Sequence, residues 1–496
     1  MIDCSKDVRQ KLSVEKWREA KGRGTLNLIM RFGKTRVADM IIGEFFRKNP
    51  NRRVLVLAPN TVTFDNLFNN LGNSYPEESW LDIRTINQFI NNVKDCKANN
   101  QTSFKVDLLV LDEVHKLFTD EALNAIKFID YKYILCLTGS KLNQKQVSIL
   151  NSLNAPIVDS ISEEEAVEQG WVSNSVEYNL AIQLDEHDKI RYAKYTAQIT
   201  ETLEIFKGVY KRINSVFKHT IFDSDFNLVL SCFTGVYYKD KNRNNSKTFI
   251  KPTVLRAILA DTMGWTKDMS LDNEYNKRIN KYWNPDNIFE RAKKFKDFVK
   301  QRNDILICNR PKINAVIEIL KRNSVPTICF NESIAMVDTL SDYFVTDGIP
   351  YHSAIESRYV INPNTGKPFC YKNGEPKKLG QTSLKKLAIN GIKRGMYKYL
   401  FTAQSLNEGL TIENIEQVIT TGGSCNSMTH SQRIARGKTY DYLNPNKKCI
   451  IINLYIDDFN IDSKEVKSRD KQKLILRQQD SENIPIWISN IDEIFT

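Results

Sequence analysis

The sequence predicts an α/β protein built from two parallel-sheet domains with a helical segment between them. In the first third of the chain, amphipathic stretches alternate with short apolar runs, at residues 25–30, 54–58, 106–111 and 133–138. Strands joined by crossover helices require this alternation, and strands buried on both faces read as continuous apolar runs. A second series of apolar runs follows much later, at 305–308, 327–330, 399–402, 417–420 and 449–455.

Helical and polar segments separate the two series. Periodicity predicts helices over residues 188–217, 226–238 and 287–299. At 496 residues, the chain is too long for one small core. We therefore predict four parts: a first domain at 1–183, a helical insertion at 184–303, a second domain at 304–460 and a C-terminal extension at 461–496. The insertion either carries partner or strand specificity or serves as a structural brace.

A loop suited to binding phosphate follows the first predicted strand. It consists of Arg31, Phe32, Gly33, Lys34 and Thr35. A glycine bend before a helix aims backbone N–H groups at an anion. Lys34 would neutralise the β and γ phosphates of a nucleotide, and Thr35 would bind Mg²⁺. The complete pattern has a further glycine where this chain has Leu28, so an accidental Gly-Lys-Thr at a helix start is the alternative.

Two carboxylates end the third apolar run. Asp112 and Glu113 directly follow residues 106–111, and open α/β sheets bind ligands at the carboxyl ends of their strands. Buried carboxylates are costly there unless something binds them. Asp112 would hold Mg²⁺ through water, and Glu113 would orient and deprotonate an attacking water. His115 either links hydrolysis to movement or makes an ordinary polar contact.

These motifs, in this order, resemble those of superfamily 2 helicases and translocases. The resemblance begins with Asp-Glu-Val-His at 112–115 after a Gly-Lys-Thr loop. Further segments that look like motifs of the family lie at 54–60, 84–87, 137–140, 326–331, 351–353, 401–410 and 431–438. The resemblance implies two RecA-like domains that face each other, with ATP and Mg²⁺ bound between them.

The resemblance also implies roles for individual residues. Arg433 and Arg436 would reach the γ-phosphate from the second domain, with Arg436 favoured as the arginine finger and Gln432 nearby. Gly409 would lie at the nucleotide, and Gln10 stands where relatives often place a glutamine that pairs with adenine. Nucleic-acid contacts would come from Pro59, Asn60, Arg84, Thr85, Asn331, His352 and Ser405.

The chain also departs from the family pattern. Ala435 replaces a glycine, Thr439 replaces the last arginine, and Thr411 replaces an aspartate that many relatives have. Without the upstream motifs, an Arg-x-x-Arg spacing on a helix would indicate a solvated face.

A basic and aromatic hairpin is predicted near residues 357–380. Turn signals occur at 362–366 and 372–374. Between residues 356 and 398 there are ten Lys or Arg and two Glu, a local charge of +8. Lys367 and Lys372 would contact a nucleic-acid backbone, and the neighbouring tyrosines could stack on a base. A plain solvated loop is the alternative.

Composition favours a nucleic-acid partner. The net charge of +12 suits a polyanion, because contact with phosphates releases counterions. No apolar run approaches the roughly 18 residues of a spanning helix, and the N-terminus lacks the apolar core of a signal peptide. Nine cysteines without a Cys-x-x-Cys pair argue against a zinc ribbon or a disulfide scaffold. We therefore expect a cytoplasmic protein with no membrane partner.

The sequence thus predicts an ATP-dependent superfamily 2 helicase or translocase that acts on DNA. Asp-Glu-Val-His, with Gln-Arg near the end of the chain, looks closer to DNA-remodelling relatives and phage-type recombination helicases than to RNA-specific enzymes. Three alternatives stay open: an RNA helicase, a nucleic-acid-binding scaffold with weakened catalysis, and the motor subunit of a restriction or packaging complex.

Overall fold

The structure is a computed structural model, and two compact units are found within its described residues. The first unit comprises residues 1–182, 312–457 and 469–496, and the second comprises 183–311 and 458–468. The described residues are 4–48, 51–59, 64, 67, 71, 75, 80–100, 102–217, 220–240, 246–262, 285–371, 373–403, 412, 414–423, 425–439, 447–479 and 484–495.

A six-stranded sheet, parallel throughout, forms the first domain. Its strands are β1 (Arg23–Leu28), β2 (Val54–Ala58), β3 (Leu81–Thr85), β4 (Phe104–Leu111), β5 (Ile129–Thr138) and β6 (Ile157–Ile161). Their order is β3-β2-β4-β5-β1-β6. Strands β1 and β4, which precede the predicted phosphate loop and the two carboxylates, therefore flank β5. Their carboxyl ends lie at one edge of the sheet.

Helices cover both faces of this sheet. They are α1 (Cys4–Glu19), α2 (Lys34–Lys48), α3 (Ile86–Ala98), α4 (Asp120–Ile126), α5 (Gln144–Ser152) and α6 (Glu163–Glu168). Helices α1 and α2 pack on one face with Val54 and Val56, whereas α3, α4 and α5 pack on the other with Leu55 and Leu57. This alternation is the two-residue period of a strand buried on both sides.

A seven-stranded sheet, also parallel throughout, forms the second domain. Its strands are β7 (Asn174–Ile182), β10 (Thr327–Asn331), β11 (Gly348–Tyr351), β14 (Tyr399–Ala403), β15 (Gln417–Thr420), β16 (Lys448–Ile456) and β19 (Ile486–Ile488). Their order is β11-β14-β10-β15-β16-β7-β19. The predicted fold class, two parallel-sheet RecA-like domains with a helical segment between them in sequence, is confirmed.

Sheet membership differs from the predicted domain ranges at two strands. β7 lies inside the range 1–183, yet it pairs with β16 over its whole length. β19 lies in the range 461–496 and pairs with β7. Both strands are short apolar runs, and local pattern alone does not reveal which sheet such a run joins.

Helices and short hairpins complete the second domain. The helices are α12 (Arg310–Arg322), α13 (Ile334–Tyr343), α14 (Gln381–Lys393), α15 (Ser427–Ile434) and α16 (Arg469–Gln478). Strands β12 (Ile361–Asn362) and β13 (Lys367–Pro368) pair antiparallel in the region where turn signals predict a hairpin. Isolated bridges join Arg358 to Leu379 and Cys370 to Pro376.

The second unit is mainly helical. It contains α7 (Glu186–Ile205), α8 (Val209–Phe217), α9 (Asp225–Thr234), α10 (Pro252–Thr262) and α11 (Pro285–Ile307), with hairpin β8–β9 (Val236–Asp240 and Ser246–Ile250) and hairpin β17–β18 (Phe459–Ile461 and Lys464–Val466). No described helix is both long and apolar enough to cross a membrane.

Two secondary-structure predictions in this unit are wrong. The apolar run 305–308 is not a strand, because residues up to Ile307 continue helix α11. Here the long amphipathic helix outweighs the apolar composition of four residues. The helix predicted over 226–238 ends at Thr234, where Gly235 adopts a φ of +71° and the chain enters β8.

Candidate active site

The predicted phosphate loop joins β1 to α2. Leu28 is the last residue of β1 and is fully buried. The bend therefore occurs after it, at Arg31 and Gly33, whose φ angles are +71° and +105°. Phe32 is buried between them and packs edge-on against Trp171, with 5.3 Å between ring centroids. The turn is therefore made by a left-handed Arg31 and by Gly33, with Phe32 as a buried aromatic anchor between them.

Gln10 of α1 supports this loop. Its Nε2 donates a hydrogen bond to the Phe32 carbonyl oxygen at 2.7 Å, and the residue is 2% exposed. A methyl group added at Gly33 would lie 2.5 Å from the same nitrogen. Position 33 therefore needs glycine both for its φ angle and for this close approach. The adenine-reading role of Gln10 stays a prediction.

Lys34 and Glu113 meet at the centre of the site. Lys34 Nζ lies 2.6 Å from Glu113 Oε1, although 79 residues separate them in sequence. Glu113 adopts a left-handed conformation, with a φ of +46°. A non-glycine residue held in this region is strained, and such strain clusters at functional sites. Asp112 lies beside it at the end of β4 and is 7% exposed.

Burial and neighbouring charges shift the pKa values of the two carboxylates in opposite directions. Burial and, to a smaller extent, the charge of Glu113 together raise the pKa of Asp112 to about 6. Burial also raises the pKa of Glu113, but the ammonium group of Lys34 outweighs this effect and the net pKa is lowered. Glu113 is thus held ionised by Lys34. Asp112 is a buried carboxylate with a raised pKa, and a nearby cation would stabilise its ionised form.

His115 connects these carboxylates to β5. Its Nδ1 lies 2.8 Å from Thr138 Oγ1 and 3.6 Å from Glu113 Oε2. Burial lowers the pKa of His115 to about 4, so the ring is neutral at pH 7. Thr138 Oγ1 also accepts a hydrogen bond from the Ser140 backbone N–H at 3.3 Å. The Asp-Glu-Val-His and Thr-Gly-Ser segments therefore form one hydrogen-bonded unit.

Gly139 lies next to the phosphate loop and so connects the hydrogen-bonded Asp-Glu-Val-His and Thr-Gly-Ser segments to it. A methyl group at position 139 would lie 2.6 Å from Lys34 Nζ and 3.0 Å from the Leu28 carbonyl oxygen. The backbone of the Thr-Gly-Ser segment is thus in direct contact with the lysine that would bind phosphate. A side chain at this position would displace the ammonium group of Lys34 and press on the Leu28 carbonyl oxygen.

The turn at residues 435–438 of the second domain, called the Arg436 turn below, approaches the phosphate loop. Arg31 Nε donates a hydrogen bond to the Ala435 carbonyl oxygen at 3.1 Å. Arg436 follows directly and is 6% exposed. Arg433 is also buried, where its Nη1 donates to the Gly422 carbonyl oxygen at 3.4 Å and its guanidinium lies over the Phe330 ring. The residue directly before Arg436 therefore contacts the phosphate loop. Arg433, by contrast, contacts Gly422 and Phe330 of its own domain.

A cavity of about 610 Å³ opens beside this contact. Its walls come from both domains and include Met30, Gly139, Ser140, Ser431, Ala435 and Lys438. Lys438 also forms an ion pair with Glu163. The cavity adjoins Lys34 through Met30 and Gly139, so a ligand group at the end of the phosphate loop has space next to the Arg436 turn.

The predicted nucleic-acid contacts fall into two groups. Pro59 and Arg84 are partly exposed after β2 and within β3, and Lys367 is exposed on β13. Arg84 forms an ion pair with Asp82 at 2.6 Å. Thr85 is buried, and its hydroxyl caps helix α3 by accepting from the Gln88 backbone N–H.

Asn331 and His352 lie inside the second domain. Asn331 is fully buried, and its Oδ1 accepts from Thr421 Oγ1 at 2.9 Å. His352 is 1% exposed and lies 3.3 Å from Asp338 Oδ1. Neither side chain faces a surface that a strand could reach, because each completes a hydrogen bond that the core would otherwise leave unmade. We therefore remove both from the proposed contact surface.

Four of the predicted site residues lie outside the described residues: Asn60, Lys372, Ser405 and Gly409. Among the described residues, contacts connect the phosphate loop to the two carboxylates, to the Thr-Gly-Ser segment and to the Arg436 turn.

Sequence reasoning missed Arg477 of α16. It is 3% exposed, and a methyl group at Gly423 would lie 2.4 Å from its Nη1 and 3.3 Å from Arg433 Nη1. No local motif marks this arginine, since α16 reads as an ordinary polar helix. Only the tertiary fold brings it to Arg433.

Comparisons with known proteins agree with this geometry in the first domain. The family model described as "Type III restriction enzyme, res subunit" matches residues 3–140. No curated protein matches the chain significantly. Among solved structures, the chain is similar to the crystal structure of the Pyrococcus furiosus Hef helicase domain, with 16% identity, a TM-score of 0.45 and coverage of 95% of this chain and 98% of that one.

The matched range contains the phosphate loop, both carboxylates and the Thr-Gly-Ser segment. The resemblance drawn from the motifs is therefore supported over residues 3–140, which are similar to a superfamily 2 helicase-like family.

Proposed function

We propose that the chain is an ATP-dependent translocase or helicase that acts on DNA. One observation carries the proposal: Lys34 and Glu113 are joined at 2.6 Å, beside a loop that also contacts the residue before Arg436. Phosphate-binding, water-activating and charge-stabilising groups are thereby gathered at one place. That set is what phosphoryl transfer to water requires.

Each group has a distinct task in this proposal. Backbone N–H groups at the start of α2 and the ammonium group of Lys34 bind the β and γ phosphates. Glu113, which Lys34 keeps ionised, accepts a proton from the attacking water as Lys34 turns to the phosphate. Arg436 stabilises the charge that spreads over the γ-phosphate oxygens in the transition state.

The residues present also suit Mg²⁺. Asp112 is a buried carboxylate with a raised pKa, which is costly without a nearby cation. The hydroxyl of Thr35 lies on the first turn of α2. Together they offer the oxygen ligands that Mg²⁺ prefers, and the bound ion would neutralise charge on the β and γ phosphates.

Charge and surface favour DNA as the polyanion. The net charge is +12. On the hairpin of β12 and β13, Tyr359 and Tyr371 are 53% and 52% exposed, with the ammonium groups of Lys378 and Lys377 each 5.4 Å from a ring centroid. Exposed rings flanked by lysines suit base stacking beside a phosphate backbone. The Asp-Glu-Val-His form favours DNA over RNA.

A second candidate is the motor subunit of a restriction complex. The match of residues 3–140 to the res subunit model favours it. This reading keeps the same ATP chemistry but places DNA cutting in another chain. It predicts DNA-stimulated ATP hydrolysis without cleavage by the isolated protein.

The test is ATP hydrolysis by the purified chain with single-stranded DNA, duplex DNA, forked DNA and RNA, measured side by side. We expect DNA to stimulate turnover more than RNA, and Glu113→Gln to abolish the stimulated rate. Strand binding without turnover in the unaltered chain would instead identify a scaffold. Stronger stimulation by RNA would overturn the choice of DNA.

A further inference from the structure

Two buried arginines meet at the carboxyl edge of the second sheet. Arg433 on α15 and Arg477 on α16 both have a guanidinium nitrogen within 3.3 Å of the point where a side chain at position 423 would begin. They are 5% and 3% exposed. Gly423 follows β15, and Glu332 follows the neighbouring parallel strand β10. Ligands of open parallel sheets bind at this edge.

One guanidinium nitrogen of Arg477 has no hydrogen-bond partner among the described residues. This nitrogen, Nε, is fully enclosed. Within the same described part of the chain, Arg477 also forms no ion pair with a carboxylate. Arginine almost never occupies such a position, because an enclosed donor without an acceptor loses its hydration and gains nothing.

Two nearby carboxylates accept hydrogen bonds from other groups. Asp470 accepts from Lys312 Nζ at 2.5 Å and from the Ile456 backbone N–H at 3.0 Å. Glu177 Oε1 accepts from Asn453 at 2.7 Å and from Gln478 at 2.6 Å, whereas its Oε2 is enclosed without a hydrogen-bond partner among the described residues.

Glu332, which is partly exposed, is left beside two guanidinium groups. The charges of Asp470, Glu332 and Glu177 also act on Arg477, without any of them forming an ion pair with it among the described residues. Burial and the charge of Arg477 together lower the pKa of Arg433 to about 10.

We propose that Arg433 and Arg477 form an anion site that binds a phosphate group at the Gly422–Gly423 corner. Two guanidinium groups beside a backbone without side chains match a tetrahedral oxyanion, which accepts several charge-assisted hydrogen bonds at once. Helix α16 thus supplies a phosphate-binding residue that the arginine motif of α15 does not contain. This inference deepens the proposed function, in which the phosphate belongs either to the nucleotide or to the nucleic-acid backbone.

The first test measures phosphate binding without turnover. Inorganic phosphate is titrated into the Lys34→Ala chain at constant ionic strength, and the melting temperature is recorded, so that the phosphate loop does not contribute. We expect a saturable rise. Adding Arg477→Gln should weaken the apparent affinity about tenfold or more, the scale of one charge-assisted hydrogen bond. Adding Arg394→Gln, which removes an exposed arginine from the same unit, should change nothing.

A second variant protects the test against misfolding. Gly423→Ala keeps both arginines but places a methyl group 2.4 Å from Arg477 Nη1, and it should abolish the phosphate-dependent rise. Phosphate affinity unchanged in both variants would overturn the proposal and leave Arg477 as an internal brace. Absence of any saturable rise in the Lys34→Ala chain would overturn it as well.

The source of the phosphate is distinguished in the chain with Lys34 intact. If the site takes the γ-phosphate, Arg477→Gln loses the preference for ATP over ADP while single-stranded DNA binding keeps its salt dependence. If it takes a backbone phosphate, nucleotide affinity is unchanged and the salt slope of DNA binding falls by about one. No change in either would refute the site. Failure of strand-stimulated hydrolysis in the unaltered chain would refute the proposed function alone, since phosphate binding is measured independently.

Discussion

At the edge of the first sheet, Lys34 is neutralised by Glu113 at 2.6 Å, whereas at the edge of the second sheet Arg477 forms no ion pair with any described carboxylate. At the first edge, Lys34 and Glu113 form an ion pair, which a ligand must break in order to bind Lys34. The second edge holds an enclosed guanidinium nitrogen that has no hydrogen-bond partner among the described residues. A phosphate group would therefore compete with Glu113 for Lys34, but would complete an unfinished set of contacts near Arg477.

The two edges also differ in how they are braced. On the first, Gln10 of α1 donates one hydrogen bond to the phosphate loop. On the second, α15 is held through His430, whose Nε2 lies 3.2 Å from Glu177 Oε1 within the amide network of Asn453 and Gln478. The phosphate loop is held by several separate contacts, including those of Gln10 with Phe32, Lys6 with the Arg31 carbonyl oxygen and Arg31 with the Ala435 carbonyl oxygen. Helix α15 is held instead by one connected and buried network, whose members depend on each other.

Arg436→Ala tests the contrast most strongly. If this arginine completes the nucleotide site from the second domain, turnover should fall about 10³- to 10⁵-fold, the range for losing an arginine finger. Nucleotide affinity should change little, because the effect lies in the transition state. Steady-state ATP hydrolysis and equilibrium nucleotide binding are the two measurements. Arg394→Ala, at an exposed arginine of the same domain, is the control; equal turnover in the two variants would remove Arg436 from the site.

Asp159→Asn probes charge neutralisation in the first domain. Asp159 accepts hydrogen bonds from Arg9, Ser13 and Lys16 of α1, at 2.7 Å in its closest contacts. Loss of one partner in a buried pair costs about 3–5 kcal/mol, and we expect a decrease on that scale in the free energy of unfolding at pH 7. Denaturant unfolding measures it, with exposed Glu164→Gln as the control.

The pH dependence of this loss has a definite sign. Burial raises the pKa of Asp159, but hydrogen bonds from Arg9, Lys16 and Ser13 outweigh burial and lower it from 3.8. A depressed folded-state pKa gives stability that is present above the unfolded value and lost as the pH falls through the folded one. The difference between Asp159→Asn and the unaltered chain should therefore shrink below about pH 4. A difference that is constant from pH 7 to pH 3 would contradict the ion-pair explanation.

Gly139→Ala sharpens the contrast at the phosphate loop itself. The added methyl group would lie 2.6 Å from Lys34 Nζ and displace the ammonium group. A shift of about 1 Å can cost about 10²-fold in rate, and we expect a decrease of that order in ATP turnover with little loss of stability. Gly380→Ala is a suitable control, because its methyl group would meet no heavy atom closer than 3.9 Å. Equal rates in both variants would show that the Thr-Gly-Ser contact with Lys34 does not matter for catalysis.

Sequence periodicity and motif order predicted most of the first edge. Strand ends at Leu28 and Leu111 fix where Lys34 and Asp112 must lie, because parallel strands end at the same edge of a sheet. Arg477 could not be predicted, since nothing in its helix indicates that tertiary packing brings it to Arg433. The burial of Asn331 and His352 was missed for the same reason, because a polar residue at a strand end can face either solvent or a core acceptor.

Lys367→Ala tests the hairpin, where charge is fully exposed and the smallest effect is expected. If Lys367 contacts a phosphate of the bound strand, the salt slope of single-stranded DNA affinity should fall by about one, with no change in base preference. Fluorescence anisotropy titrations at several salt concentrations measure the slope. Lys464→Ala provides the matched control, since it removes an exposed lysine from the other short hairpin, β17–β18. A direct phosphate contact changes the salt slope through counterion release, whereas a distant charge is screened by salt. Equal salt slopes in Lys367→Ala and Lys464→Ala would therefore mean that the hairpin is a solvated loop.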